Sequence, residues 1–332
     1  MCWLLHFMLY FFLSFFRNFE EIMKLYILFL IFPLIFAIIS QRTQIMVLMH
    51  GEVLTHGGGL SDFTKKPVNW STCVTNCHSK VNCIVAGFEY ETCTHIELGR
   101  VFTIKRLNAY SEKMVAVKTV TNLTSCGYGN GLQGFIGSNE SYKVIISQGT
   151  WTIQELKCSE GFRMFHRHKG SWCIKVVTRP GTSQAEGANF CYTQHNGVLS
   201  SFDSEEEKNF VLNETMRFVE KYQIHAGYQG DAYWMNGERK NSCMHQYQEG
   251  SDCDGIKAFN ITDPLISEVF ENWADNQPSG MRDNKGAGGC IVFRVGTKEG
   301  RSTDDVPCDW GNFPLGTFQY LIKGFICGTR PG

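Results

Sequence analysis

At 332 residues the chain exceeds what one hydrophobic core usually serves, so two small domains are expected. Its 31 Lys and Arg against 32 Asp and Glu leave a formal net charge of -1 with no basic stripe, which argues against nucleic acid as a partner. The 14 cysteines are far more than a reducing cytosol tolerates as structural residues, so the expected setting is oxidising and extracellular.

From the N-terminus, Lys24 precedes the apolar run Leu25 to Ile39 and then Ser40, the pattern of a secretory signal peptide over 23–40. A bilayer core needs about 20 apolar residues, so a type II anchor is the weaker reading, and a membrane is a partner only if this segment stays uncleaved. Residues 1–22 hold a second apolar stretch, Cys2 to Phe16, set off by Arg17, Glu20 and Glu21; Met23 reads as the natural start, with a helical hairpin as the alternative. Asn-x-Ser/Thr acceptors at Asn69, Asn122, Asn139, Asn213 and Asn260 fit a glycoprotein of the secretory pathway.

Beyond the leader, Gln44 to His50 and Met114 to Val120 read as strands from their period-two apolar residues. Between them lies a helix that Asn69 or Ser71 can cap, with Cys73 and Cys77 on one face, able to reach strands carrying Cys83 and Cys93. A zinc site is disfavoured, because paired C-x2-C spacing is absent. The order Trp70, Cys73, Cys77, Cys83, Cys93, followed by MVAVKTV at 114–120, resembles the PAN-related CW domain of nematode secreted proteins. That resemblance implies a small disulfide-rich α+β interaction or adhesion module over 41–121 and no catalytic residues. The Gly, Ser and Asn-rich stretch after it, taken as 122–150, has the composition of a linker and contains Cys126. With Cys2 in the leader, 13 cysteines remain, an odd number that raises intermolecular crosslinking through Cys126 as a third idea.

In the second half, Ser183 with Glu186 forms a capping-box pattern ahead of a helix that ends near His195, Asn196 and Gly197. Ser204 with Glu207 repeats the box, and Phe210, Val211, Phe218 and Val219 recur at helical spacing. After Tyr222 come short apolar pieces such as Tyr233 to Met235, Cys290 to Val295 and Tyr320 to Cys327, which read as strands among loops. Helices first and strands later give an α+β domain with a long irregular insertion.

Residues 151–330 resemble the C-type lectin domain through WCIKV at 172, YWMNG at 233, NWADNQPSG at 272, DDVPC at 304 and GFIC at 324, together with eight cysteines. Arithmetic cannot choose among their pairings. The resemblance implies Cys158 with Cys173, Cys191 with Cys327 and Cys290 with Cys308, leaving Cys243 and Cys253 for a local pair. It also implies two helices, antiparallel strands and a long loop, with glycans or glycoproteins as partners and calcium as the cofactor to be weighed.

Calcium takes about six to eight oxygen ligands, and a sugar binds it through vicinal hydroxyls. The family's cis-proline triplet corresponds here to Gln277, Pro278 and Ser279, where a hydroxyl replaces a carboxylate or amide. The carboxylate expected two residues before Cys290 is Gly288, with Asp283 or Asn284 as substitutes only if their loop folds inward. The closing triplet is Thr303, Asp304 and Asp305, so the candidate calcium ligands are Gln277, Asp304 and Asp305, and the candidate ligand-binding set adds Ser279. Asp304 and Asp305 also read as a solvated loop pair or an Asx turn. Calcium binding and its absence remain two open readings, and Tyr233, Trp273 and Trp310 could stack on sugars or pack the core.

No nucleophile elbow, zinc-protease helix or free cysteine beside a histidine is present, so no enzyme is expected; His166, His168 and His245 read as surface residues. Two functions compete: a carbohydrate-binding lectin with a degenerate calcium site, and a calcium-independent protein-recognition or adhesion module on the same scaffold.

Overall fold

Alternating Ile45, Val47 and Met49 against Val115 and Val117 commit two long segments to neighbouring strands, and the rest of the N-terminal half is built outward from that pair. The structure is a computed structural model that describes residues 43–55, 63–64, 68–97, 102–121, 132–136, 140–219, 230–244, 252–266, 273–280, 282–283, 286–295, 302–310 and 320–332. The leader, Cys126, Asn122, Asn139, His245 and Asn284 lie outside these residues. No helix among the described residues is long and apolar enough to cross a membrane.

The first half contains β1 (Thr43–Thr55), β2 (Phe63–Thr64), α1 (Trp70–Ser79), β3 (Cys83–Glu89), β4 (Thr92–Glu97), β5 (Phe102–Arg106) and β6 (Met114–Thr121). It continues through β7 (Leu132–Ile136), β8 (Glu140–Ser147) and β9 (Thr150–Leu156). All nine strands form one sheet in the order β2-β4-β3-β6-β1-β5-β9-β8-β7. Val85, Val115, Val117, Ile104, Tyr142, Val144 and Ile153 share one core, so strands far apart in that order face each other and the sheet is curled. On the opposite face lies α1, capped by Asn69, whose Oδ1 accepts from the Thr72 N–H at 2.8 Å. Cys73–Cys93 and Cys77–Cys83 bond that helix to the sheet over Ala86 and Ala116.

The segment expected as a linker over 122–150 differs from that reading: β7, β8 and the start of β9 lie within it, and β9 pairs with β5. Its glycines and polar residues serve hairpins. Gln148 and Gly149 both have positive φ in the two-residue turn between Ser147 and Thr150. Gly134 lies beneath the Tyr142 ring, where an added Cβ would stand 2.0 Å from Cζ. The strand β9 runs through residues assigned by sequence to the second domain, and the next residue, Lys157, exchanges both backbone hydrogen bonds with Gly332 at 3.0 Å.

The second half contains β10 (Arg163–Arg167), β11 (Gly170–Thr178), α2 (Gln184–His195), β12 (Val198–Leu199), α3 (Glu205–Val219) and β13 (Gly230–Arg239). It closes with β14 (Phe259–Asn260), β15 (Arg282–Asp283), β16 (Gly286–Ala287), β17 (Cys290–Val295), β18 (Thr303–Val306) and β19 (Tyr320–Thr329). The main path is β10-β11-β19-β13-β17-β18, with β13 and β19 parallel and the other pairs antiparallel. Alternation along β13 divides the core: Ala232 and Trp234 pack with Cys191 and Phe325, while Tyr233 and Met235 pack with Val211 and Phe293.

The Ser183 box is complete, with Glu186 N–H to Ser183 Oγ and Ser183 N–H to Glu186 Oε2. At α3 only half of the second box forms. Ser204 Oγ accepts from the Glu207 N–H at 3.3 Å, but the Glu207 carboxylate turns to Arg167 and to the Asp203 N–H. Cys158–Cys173, Cys191–Cys327 and Cys290–Cys308 are bonded, the three pairs that the lectin resemblance implies, and Cys243–Cys253, the two cysteines it leaves over, form a local bridge. The fold is therefore α+β with antiparallel strands, few helices and several disulfides, preceded by a small disulfide-rich α+β domain.

Candidate functional site

The region expected to carry ligand chemistry lies where β18 and the loop at 273–280 meet the end of β13. Trp273 bridges to Thr303, and the Ala274 N–H donates to the Thr303 carbonyl at 3.0 Å, so the loop is laid along β18. The Gln277–Pro278 peptide is cis. Gln277 folds back on its own loop, its Oε1 accepting from the Ser279 N–H at 2.8 Å.

Asp304 and Asp305 are adjacent in a strand, so their side chains leave on opposite faces. Both are buried. Asp305 Oδ1 accepts from the Ser279 N–H at 2.6 Å; its Oδ2 accepts from the Gly280 N–H at 3.0 Å and from Arg239 Nη2 at 2.8 Å. Asp304 Oδ1 accepts from the Asp305 N–H at 2.8 Å, and Oδ2 lies 3.5 Å from Arg294 Nη1. Arg294 is held by Ser302 Oγ, which accepts from Nη2 at 2.6 Å. The two acids thus face two different guanidinium groups.

Arg239 is the central group of this arrangement. Its side chain is 0% exposed, Nε donates to the Gly288 carbonyl at 2.6 Å, and the guanidinium lies 4.6 Å from the Phe259 ring centroid. Gly288 has to be bare, because a Cβ there would stand 2.0 Å from Asp305 Oδ2. A buried charge needs a paired and hydrogen-bonded partner, and this pair supplies one with its own positive charge.

Calcium does not fit this donor set. The Asp305 oxygens already accept from two backbone N–H groups and a guanidinium, Gly288 offers its carbonyl to that guanidinium, and Asp304 points elsewhere. Among the described residues, the one cluster of three or more metal-ligand side chains is Cys73, Cys93 and His95, and its two sulfurs are joined in a disulfide. Asp283 lies in β15, a two-residue strand paired with β16.

The aromatic candidates are inside. Tyr233 and Trp310 are buried in the two cores, burial pushes the Tyr233 hydroxyl up to about 12, and Trp273 stacks on Phe259 with centroids 5.7 Å apart. His168 is exposed, whereas His166 is half-buried with Nδ1 3.3 Å from Ser171 Oγ, a correction to its reading as a surface residue.

Sequence reasoning missed the arginines. Besides Arg239 and Arg294, Arg167 uses Nε and Nη2 on Glu207, Nη1 on both Asp263 oxygens, and Nη2 on the Ser201 carbonyl, all within 2.9 Å. Arg167 ties β10 to α3 and to the loop carrying Asp263. No sequence signal marks these arginines: the acid partners of Arg167 and Arg239 lie 40 to 96 residues away, and Asp304 lies 10 residues from Arg294, on the next strand.

Comparisons with known proteins follow this division of the chain. A PAN-like domain family matches residues 46–119. No curated protein matches the chain. Among solved structures, human lithostathine is similar at 15% identity and TM-score 0.33, covering 52% of this chain and 91% of its own. A calcium-dependent type II antifreeze protein in its calcium-free form is 20% identical at TM-score 0.33, covering 52% and 99%. The calcium-independent C-type lectin SPL-2 from Saxidomus purpuratus is 14% identical at TM-score 0.32, covering 52% and 93%. The matched families are non-catalytic modules, consistent with a protein that is not an enzyme. The C-type lectin domain-containing protein 141/158 family matches residues 164–330, half of the chain, and the protein belongs to that family.

Proposed function

We propose that this is a secreted recognition protein whose lectin-like domain binds glycans or glycoproteins without calcium. The observation that carries this reading is the buried Arg239 guanidinium between Asp305 and the Gly288 carbonyl, a fixed cation where the resemblance looks for a bound one. Six disulfides among the described residues support an extracellular setting.

A second reading, protein recognition on the same scaffold, draws support from the burial of Tyr233 and Trp310, which removes two sugar-stacking candidates from the surface. The deciding experiment is a glycan array read with calcium and with chelator, beside a calorimetric calcium titration of the same preparation. Equal glycan signals under both conditions and no heat with calcium are expected. A chelator-sensitive signal would refute calcium independence, and an empty array would leave the protein-recognition reading in its place.

A further inference from the structure

The Cys73–Cys93 bridge beneath α1 is set among groups that a purely structural disulfide does not need. Cys93 and His95 alternate with Thr94 on β4, so both side chains leave the sheet on the face that α1 covers. His95 is 7% exposed, and its Nε2 stands 3.2 Å from Cys93 Sγ and 3.0 Å from the Cys73 carbonyl oxygen. Its Nδ1 lies 3.3 Å from Lys80 Nζ. An ammonium only donates, so Nδ1 is the accepting nitrogen and the imidazole proton sits on Nε2, towards the sulfur.

A second ammonium adds to the positive field. Lys118 is 2% exposed, and its Nζ donates to the Lys80 carbonyl at 2.6 Å. Among the described residues neither Lys80 nor Lys118 pairs with a carboxylate. Cations and an N–H donor stabilise a thiolate, so these surroundings favour negative charge on Cys93 Sγ. In the disulfide the Nε2–H serves the Cys73 carbonyl, because a divalent sulfur accepts weakly; a thiolate at the same place would draw it over. Cys77–Cys83 lies under the same helix and is equally buried, yet among the described residues no side-chain N–H stands at either of its sulfurs.

The two sulfurs also differ in what carries them. Cys73 belongs to α1, a helix of 10 residues, shorter than an isolated helix needs to be stable in water. Cys93 is fixed in β4, which pairs with β3 on one side and β2 on the other. Cys77–Cys83 holds the later turns of α1. A local opening that admits a reagent therefore loosens the turns around Cys73 and leaves Cys93 beside His95.

We propose that Cys73–Cys93 is an exchange site for a small-molecule thiol, with Cys73 taking the incoming sulfur and Cys93 leaving as the thiolate. The incoming thiolate attacks Cys73 Sγ; a new S–S bond forms as Cys73–Cys93 breaks, and the bonding pair stays on Cys93 Sγ. The proton shed when the thiol ionised passes to solvent. The incoming sulfur is oxidised and the Cys93 sulfur reduced, so no other oxidant or reductant enters. In the product, Cys77–Cys83 is the remaining covalent tie between α1 and the sheet. The site lies outside the lectin-like half and stands whatever that half binds.

The test treats the full folded chain with glutathione near neutral pH, blocks with excess N-ethylmaleimide and maps both labels by peptide mass spectrometry. Glutathione on Cys73 with maleimide on Cys93 is expected in about tenfold excess or more over the reverse pattern. Lys80→Met, at an exposed position, removes the ammonium that orients the imidazole and should cut that excess about threefold or more. His95→Leu, which removes the N–H itself, should do the same. A substitution that merely loosened the domain would raise both adducts together and leave their ratio alone, and Lys80→Met decides the matter if His95→Leu does not fold. Equal labelling, glutathione on Cys93, a ratio indifferent to the substitutions, or a bridge that stays closed in the folded chain would each overturn the assignment.

Discussion

Replacing Arg239 by methionine tests the reading of the lectin-like site most directly. The substitution keeps much of the aliphatic stem and removes the guanidinium, so Asp305, whose side chain is 0% exposed, loses its ion-pair partner and the Gly288 carbonyl loses its donor. Removing one member of a buried pair costs about 3 to 5 kcal/mol, because the remaining charge is left uncompensated. In a domain of this size that corresponds to roughly 6 to 20 °C in melting temperature. The partner substitution Asp305→Leu should be similarly damaging, whereas the double variant should recover much of the loss, since replacing both charges with apolar groups leaves neither stranded. Arg239→Lys should fall between, because an ammonium keeps the charge but lacks the fork that reaches Asp305 and Gly288 together. The assay is thermal and denaturant unfolding of the four variants and the parent, with and without calcium. Single variants costing less than about 1 kcal/mol, the value of an exposed pair, would refute the argument. So would a parent protein whose melting temperature rises with calcium and returns with chelator.

Cys191→Ser with Cys327→Ser opens a bridge that spans 136 residues; in the chain-entropy treatment this costs about 4 to 5 kcal/mol, to be read from denaturant midpoints. Glu207→Gln should lower stability by about 1.5 to 3 kcal/mol, because Arg167, with 1% of its side chain exposed, loses its charge-assisted bonds to that carboxylate but keeps its ion pair with Asp263; circular dichroism melts check it. His95 supplies a pH dependence. Burial holds its imidazole below the usual histidine range, and Lys80 Nζ stands 3.3 Å from Nδ1, where a proton would face an ammonium. The unfolded chain therefore binds the proton more readily, and this contribution to stability is complete above about 6.5 and falls as the pH drops through the lowered folded value. His95→Gln should flatten that part of the melting-temperature profile; an unchanged acid limb would refute the assignment.

Much of the scaffold was legible in the sequence because its determinants are local or covalent. The Ser183 box needs only residues three apart, and α1 was marked by Asn69 and by cysteines at helical spacing. The lectin-half bridges followed from a resemblance in cysteine order. The stretch after Thr121 was misread as a linker because Gly, Ser and Asn serve both flexible segments and tight hairpins. What separates the two is the packing of Gly134 under Tyr142 and the pairing of β9 with β5, contacts that composition does not encode. Glu207 was misread in part for a similar reason: a glutamate at the right spacing for a box was captured by an arginine 40 residues away.

The candidate site was legible as a place and not as a chemistry. Sequence reading treats each altered position as a separate loss, with Ser279 a weaker ligand and Gly288 a missing one. In the fold these positions are coupled through Arg239. Ser279 contributes its backbone N–H to Asp305, a role indifferent to its side chain. Gly288 provides the room for the Asp305 carboxylate and a carbonyl for Nε. Arg239 supplies the charge that makes a buried Asp305 tolerable. A carboxylate oxygen accepts equally from a guanidinium or from a divalent ion, so the presence of Asp305 in the motif cannot say which one it meets. That depends on a residue 66 positions away, on another strand. Restoring one acidic ligand at 288 would therefore not rebuild an ion site; its side chain would collide with Asp305 while the guanidinium still held the space between them.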